Sequence, residues 1–430
     1  MIEKKVFESA LLGESYQKLT HSCGLDIYVF PKKLTTTYAI LGVKYGSIHS
    51  RFSISKDEEL SPVPDGVAHF LEHKLFMNED GSDSFEHFSK FGADANAYTS
   101  FNKTAYLFSC TEGFESSLTE LLHFVLHPYF TEDTVNSEKG IIAEEIKMYD
   151  DSPSDRCFYG MLEGMYENHS IRRNICGSIA SIEEITPQTL YRCYDAFYKP
   201  QNMALVVCGN VDTDTVIKIA NQELPKDASR FSTITEDENA KESPCAFTQY
   251  VERKMQVSKP IFNIGFKDID IPASPTERQK KDATMAVLNE MIFSRAGALY
   301  EYLSKNELIS PNLSYGYTIS PCSAYNSIAG ESDAPKKVLE VMFGYIDKLK
   351  SIGLSYNDFL RGKRVMYAEF VKSFDSTENI ANNLLSFVFE DAELLSYAEI
   401  IESVSFEDVK KLFKTAFDPK SVCLSVISPL

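Results

Sequence analysis

Short runs rich in β-branched and aromatic residues at alternate positions occupy residues 25–30, 38–45 and 105–110. A two-residue period sends successive side chains to opposite faces, so these runs predict strands. Apolar positions recur every three to four residues over 116–126, 135–149 and 188–196. That is the period of helices with one face against a core. Strands and helices come in runs rather than in strict alternation. The predicted fold class is therefore α+β, with two homologous α/β halves, each a mainly antiparallel sheet with helices packed on one face.

The two-half expectation comes from the pattern itself. Ile185, Thr186, Leu190, Tyr194, Pro200, Leu205 and Val207 lie, at a constant offset of 219 residues, on Val404, Ser405, Val409, Phe413, Pro419, Leu424 and Val426. In each copy an amphipathic helix ends near a proline, which cannot continue it, and a short apolar strand follows. Lys139 to Glu145 matches Lys363 to Glu369 at offset 224, implying a small insertion between the two matches. Between the copies runs a stretch with almost nothing to bury, including Lys226, Asp227, Ser229, Ser232, Asp237, Glu238, Lys241 and Glu242. The expected organisation is a domain over 1–221, a linker over 222–244 and a homologous domain over 245–430.

Composition narrows the partners. The chain has 430 residues, of which 43% are hydrophobic, and 43 basic against 62 acidic side chains leave a net charge of −19. Nucleic-acid binding needs clustered positive charge, and an anionic membrane surface disfavours the same balance, so neither is an expected partner. No apolar run approaches the roughly eighteen residues of a membrane span. Charges run throughout the first thirty residues, with no basic segment leading into an apolar one, so no secretion signal is expected. Nine cysteines, an odd number with no C-x-x-C pair, suit reduced structural thiols and a cytoplasmic setting.

The sharpest chemical feature spans residues 65–76. Pro64 and Asp65 suit a helix start, with the aspartate as cap. Within that helix His69 and His73 are four apart, so both rings project from one face a turn from each other. Two imidazoles so placed can share one zinc ion, which commonly takes two histidines, a carboxylate and a water. Glu72 on the same stripe would take the proton from that water as it attacks a carbonyl. Val67, Phe70 and Leu71 point elsewhere and can pack the helix into a core. His123 and His127 share the spacing, but only apolar residues lie between them and Pro128 follows, so helix-end packing is the expected role. The third ligand must come from elsewhere, and Glu138, Glu144 and Glu145 are all candidates on one helix. Spacing alone leaves the choice open.

This pattern resembles the inverted zinc motif of the pitrilysin/insulinase peptidases. His69-x-x-Glu72-His73 is followed by Glu138-x6-Glu145, with Glu145 seventy-two residues past His73. The stretches Asn96-Ala97-Tyr98-Thr99 and Met148-Tyr149-Asp150-Asp151-Ser152-Pro153 are also similar to that family, in its processing-peptidase-like branch. The resemblance implies that His69, His73 and Glu145 bind one Zn2+ per chain, that Glu72 is the general base and that Glu138 supports the site. The first domain would then be catalytic and the second without metal. Asn96 and Ala97 would lie at a sheet edge that receives peptide as an added strand. Family members also place an arginine and a tyrosine seven apart in a later half, and here Ser304 stands at the arginine's place. The resemblance thus implies a zinc metalloendopeptidase for short or unfolded peptides, paired with a related non-zinc subunit that supplies the arginine and tyrosine. The competing expectation is a catalytically silent peptide-binding or scaffold subunit, and a third is a hydrolase of non-peptide substrates.

Overall fold

The computed structural model describes residues 3–55, 58–228, 231–236 and 242–430. The six segments predicted from periodicity are all present. Strands run over Asp26–Pro31, Thr37–Val43 and Thr104–Cys110, and helices over Phe114–Leu126, Glu132–Asp150 and Pro187–Phe197.

Two compact units form, each from non-contiguous stretches. Unit 1 takes the chain up to Ile146, then Asn174–Glu236 and Lys372–Ser396. Unit 2 takes Lys147–Arg173, the described chain from 242 to Val371, and Tyr397–Leu430. Each unit therefore borrows one helix from the other half of the sequence.

Unit 1 carries a seven-stranded sheet in the order Glu3–Ser9, Glu14–Thr20, Asp26–Pro31, Met203–Gly209, Thr37–Val43, Thr104–Cys110, Ala93–Thr99. Every adjacent pair is antiparallel except Asp26–Pro31 beside Met203–Gly209. All seven residues of both Thr37–Val43 and Met203–Gly209 are buried, which requires cover on both faces. The borrowed helix Thr377–Phe389 supplies one cover and packs on these two strands. Gly42 makes room for it, since a Cβ there would stand 2.7 Å from a Leu385 methyl and 2.9 Å from the Phe389 ring.

Unit 2 repeats the device. Its five-stranded sheet runs Tyr250–Met255, Val422–Pro429, Ile261–Asp268, Ala324–Glu331, Ser314–Ile319, and only the first pair is parallel. The borrowed helix Pro153–Met165 packs against it, and Gly265 admits Met161 and Met165 as Gly42 admits Leu385 and Phe389. The strand register bears out the duplication: Ala204 pairs with Gly42, and Cys423, 219 residues later, pairs with Gly265. Both matched strands lie between one parallel and one antiparallel neighbour. The matched lysines repeat a contact as well, for Lys139 donates to the Glu183 carbonyl at 2.8 Å and Lys363 to the Glu402 carbonyl.

The polar stretch 222–244 is partly structured. Ile234–Thr235 pairs with Phe52 and Ser53. Glu242 meets Lys267 at 2.7 Å with both side chains sealed from solvent, at 0% and 1% exposure, and also accepts the backbone N–H groups of Asn168 and His169. Ser229, Asp237, Glu238 and Lys241, which help to mark this stretch in the sequence, lie outside the described residues. Among the described residues no helix is long and apolar enough to cross a membrane.

Candidate metal centre

The site is built in unit 1 on the helix Val67–Leu75. Val67, Phe70, Leu71 and Leu75 bury one side of it, and complete burial of a side chain such as Phe70 is worth about 1.5–3 kcal/mol. Asp65 is not its cap, contrary to the sequence expectation. The position before the helix is Gly66, left-handed at φ 90°, which has no side chain to cap the first turn. The reason is a close approach of two backbones. A Cβ on Gly66 would lie 2.4 Å from the Cys176 carbonyl oxygen, and one on Gly177 would lie 2.4 Å from the Asp65 carbonyl oxygen. The Ser181 hydroxyl also donates to that Asp65 oxygen at 2.8 Å. Only glycine combines this φ with this proximity.

From the helix face His69 and His73 project together, ring centroids 4.6 Å apart. One carboxylate faces both. His69 Nε2 lies 3.6 Å from Glu145 Oε1, and His73 Nε2 lies 3.4 Å from Glu145 Oε2. On its other side the His73 ring donates from Nδ1 to Glu138 Oε1 at 3.1 Å. Lys74, with 1% of its side chain exposed, stands 3.7 Å from Glu138 Oε2. Of the three glutamates that spacing left open, the helix Glu132–Asp150 turns Glu138 and Glu145 to the histidines, while Glu144 is exposed.

The electrostatics follow from that crowding. Burial pushes the Glu72 carboxyl up, partly offset by the two histidines and by the Thr99 hydroxyl. Burial works against protonating His73, yet its bonds to Glu138 and Glu145 prevail and raise its pKa to about 10. Bonds from His69 and His73 hold Glu145 far below the usual carboxylate range. Burial would raise Glu138, but His73 and Lys74 bring it down, while burial lowers Lys74. Three carboxylates around two imidazoles thus favour positive charge between them, and the donors suit zinc. Around a tetrahedral ion with bonds of ~2.0–2.1 Å the ligand atoms stand roughly 3.4 Å apart. The separations here are of that order, 3.6 Å from His69 Nε2 to Glu145 Oε1 and 3.4 Å from His73 Nε2 to the other oxygen, Oε2.

The strand Ala93–Thr99 forms the outer edge of the unit 1 sheet, paired on one side only, with Asn96 opposite Leu107 and Ala97 opposite Tyr106. The Asn96 side chain accepts the Ala97 N–H at 2.8 Å. The end of this strand reaches the His helix, where Thr99 Oγ1 donates to Glu72 Oε2 at 2.6 Å.

Three neighbours of the site escaped sequence reasoning. Thr99 closes the Asn96–Thr99 stretch, but nothing there marked its hydroxyl as a partner for Glu72. Lys74 reads as a helix-end lysine until its burial is seen. Cys176 carried no signal, being one cysteine of nine, yet its Sγ lies 3.9 Å from His69 Nε2. The other histidine pair at this spacing stands at a helix end. His123 and His127 are exposed and stacked with centroids 4.4 Å apart, and His127 Nδ1 donates to the His123 carbonyl at 2.8 Å.

Known proteins share this arrangement of chain. The family model described as "Insulinase (Peptidase family M16)" matches residues 60–178, and "Peptidase M16 inactive domain" matches residues 184–366. The chain is 37% identical over 428 residues to the uncharacterized zinc protease YmfH of Bacillus subtilis, covering 97% of this chain and 98% of that one. A crystal structure of an M16-like peptidase from Alicyclobacillus acidocaldarius superposes with a TM-score of 0.90 at 26% identity, covering 100% of this chain and 99% of the other. A protease from Helicobacter pylori, 18% identical, shares the fold with a TM-score of 0.83 over 97% of this chain and all of its own.

Proposed function

The chain belongs to the insulinase family of peptidases, M16, and on that premise we propose that it is a zinc-dependent metalloendopeptidase acting on short or unfolded peptides. The observation that carries this reading is the Glu145 carboxylate facing both imidazole Nε2 atoms, at 3.6 and 3.4 Å, with the buried Glu72 one helical position before His73.

In this reading His69, His73 and Glu145 hold the ion. Glu138 fixes the His73 ring through Nδ1, leaving Nε2 directed at the centre. Zinc supplies Lewis acidity, polarising a peptide carbonyl and lowering the pKa of water. Glu72 takes up a proton when water adds to the scissile carbonyl and can return it to the departing amine. Its burial favours the protonated form, which suits a group that must hold a proton part-way through the reaction. Thr99 keeps one oxygen of that carboxylate occupied and so orients the other. The edge strand Ala93–Thr99, with Asn96 and Ala97, would bind peptide through main-chain hydrogen bonds.

The reading includes a partner subunit. At the stretch where family members carry the substrate-gripping arginine, this chain has the exposed Ser304. The nearby tyrosines are committed inside unit 2, Tyr315 to Glu290 at 2.5 Å and Tyr317 to Asp268 at 2.8 Å. A related non-zinc subunit would supply the missing pair, in a reducing cytoplasmic setting that suits the buried thiols. The test is peptide digestion by the purified chain alone and with a related subunit, alongside metal analysis. Cleavage that requires both chains is expected, with one zinc on this chain, and E72Q should abolish the cleavage while keeping the zinc. Tightly held zinc with no cleavage in either form would leave a peptide-binding subunit instead, and robust cleavage by the lone chain would remove the partner.

A further inference from the structure

We propose that Cys176 supplies a thiolate to the same ion, adding a fourth protein donor to His69, His73 and Glu145. The inference rests on the zinc reading above and extends it to a residue that reading does not use.

Ligand atoms of His69, Glu145 and Cys176 all lie within 4.8 Å of one another. With Nε2 to Oε1 at 3.6 Å and Nε2 to Sγ at 3.9 Å, a single ion can sit about 2.4 Å from all three, against typical Zn–N bonds of ~2.0–2.1 Å and Zn–S bonds of ~2.3 Å. His73, the remaining donor, stands outside that group of three and meets the other oxygen of Glu145 at 3.4 Å. The sulfur stands on the Nε2 side of the imidazole, the side that faces the centre. Its position is set by the backbone, because the Cys176 carbonyl packs against Gly66 at the start of the His helix. The side chain therefore approaches from the segment that anchors that helix.

A second observation concerns His69 itself. It is 7% exposed, and its Nδ1 is buried with no hydrogen-bond partner among the described residues. A metal-bound histidine is normally oriented by an acceptor on its outer nitrogen, as Glu138 orients His73. His69 lacks that support, so what meets Nε2 must hold the ring, and Glu145 and Cys176 are what meet it. Ligation is by the thiolate, with the thiol proton released to solvent.

A thiolate among the donors tilts the site towards zinc over magnesium, calcium or manganese. It also fills the position that catalytic zinc sites keep open. The chain would then hold its ion in a closed state, from which sulfur must withdraw before peptide enters.

The experiment is titration of the metal-free full-length chain with Co2+, followed by absorption. The native protein should show both the visible bands of four-coordinate cobalt and the near-ultraviolet sulfur-to-cobalt charge-transfer band. C176A and C176S should keep the visible bands and lose the near-ultraviolet one. C176S retains a hydrogen-bonding group of similar size, which guards against a packing defect. Zn2+ affinity, measured against a chelating dye, should fall about tenfold or more in both, at least the loss seen when an outer partner of a ligand is removed. Visible bands without the charge-transfer band, or that band persisting in C176A and C176S, would overturn the thiolate and leave the zinc site standing. Absence of any visible band from the native chain would overturn the metal centre and this inference with it.

Discussion

The Thr99 hydroxyl donates to Glu72 Oε2 at 2.6 Å, joining the end of the sheet's edge strand to the buried carboxylate on the His helix, the base of the proposed reaction. The bond favours the ionised carboxylate against the burial that opposes it, and it fixes which oxygen is left to work. Removing the hydroxyl frees the carboxylate to turn, and misplacing a catalytic group by about 1 Å can cost roughly 100-fold. T99V should therefore lower kcat of the active assembly by about 10- to 100-fold with zinc content unchanged, and T99S should restore most of it. Equal kcat for T99V and native protein would show that Glu72 is positioned by its helix alone.

Glu72, Glu138 and Glu145 separate by metal affinity. E72Q should keep one zinc per chain while turnover vanishes, because only the proton acceptor is lost. E145Q should lose stoichiometric zinc. E138Q should weaken binding about 10- to 100-fold, since it releases the His73 ring without removing a donor. Chelator competition on the three variants orders them, and unchanged zinc content in E145Q would mean that another side chain is the third ligand.

Gly66 couples the helix start to the segment carrying Cys176. G66A places a Cβ 2.4 Å from the Cys176 carbonyl and forces a left-handed φ on an L side chain. The φ alone costs roughly 1–2 kcal/mol, and the clash adds to it. Denaturant unfolding should show a loss of about 2 kcal/mol or more, accompanied by weaker zinc binding. A variant as stable as the native chain would show that these two backbones can separate.

Asp282 gives a pH signature in unit 2. Burial raises its pKa from 3.8 to about 6, although the Tyr397 hydroxyl that donates to it at 2.5 Å acts the other way. The folded protein thus binds this proton more tightly than the unfolded chain does. The group's destabilising effect is absent below pH 4, grows through the window from about 4 to 6, and is complete above it. Its full size is at most roughly 3 kcal/mol. D282N, which still accepts from Tyr397, should raise Tm at pH 7.5 and leave it nearly unchanged at pH 4. A Tm gain of the same size at both pH values would exclude titration of Asp282 as the cause.

Glu242 and Lys267 form a sealed ion pair. Breaking such a pair leaves a buried charge without its partner, at a cost of about 3–5 kcal/mol. E242A also removes the carboxylate that accepts from the N–H groups of Asn168 and His169. Unfolding free energies for E242A and for a surface control such as E407A, which removes only an exposed partner of Lys410, should differ by that amount. Similar values would mean that water reaches Lys267.

The helices and strands were legible because burial imposes periods that a few residues reveal. The six predicted segments match the folded ones to within a few residues at each end. The His69–Glu72–His73 stripe was legible for the same reason, since a single helix fixes the relative directions of its own side chains. Asp65 shows the limit. It reads as a cap by residue type, and it fails because a carbonyl more than a hundred residues away presses on Gly66.

The sequence by itself determined the local periods, the two-imidazole stripe, and a duplication whose 219-residue offset reappears in the pairing of Ala204 with Gly42 and of Cys423 with Gly265. Tertiary structure alone decided which glutamates turn inward, that Thr99 holds Glu72, that Cys176 stands beside His69, and that each unit borrows a helix from the other half. The physical reason is range. Helical and strand periods arise from neighbours along the chain, whereas a contact across a hundred residues depends on the summed packing of everything between, which no short pattern records.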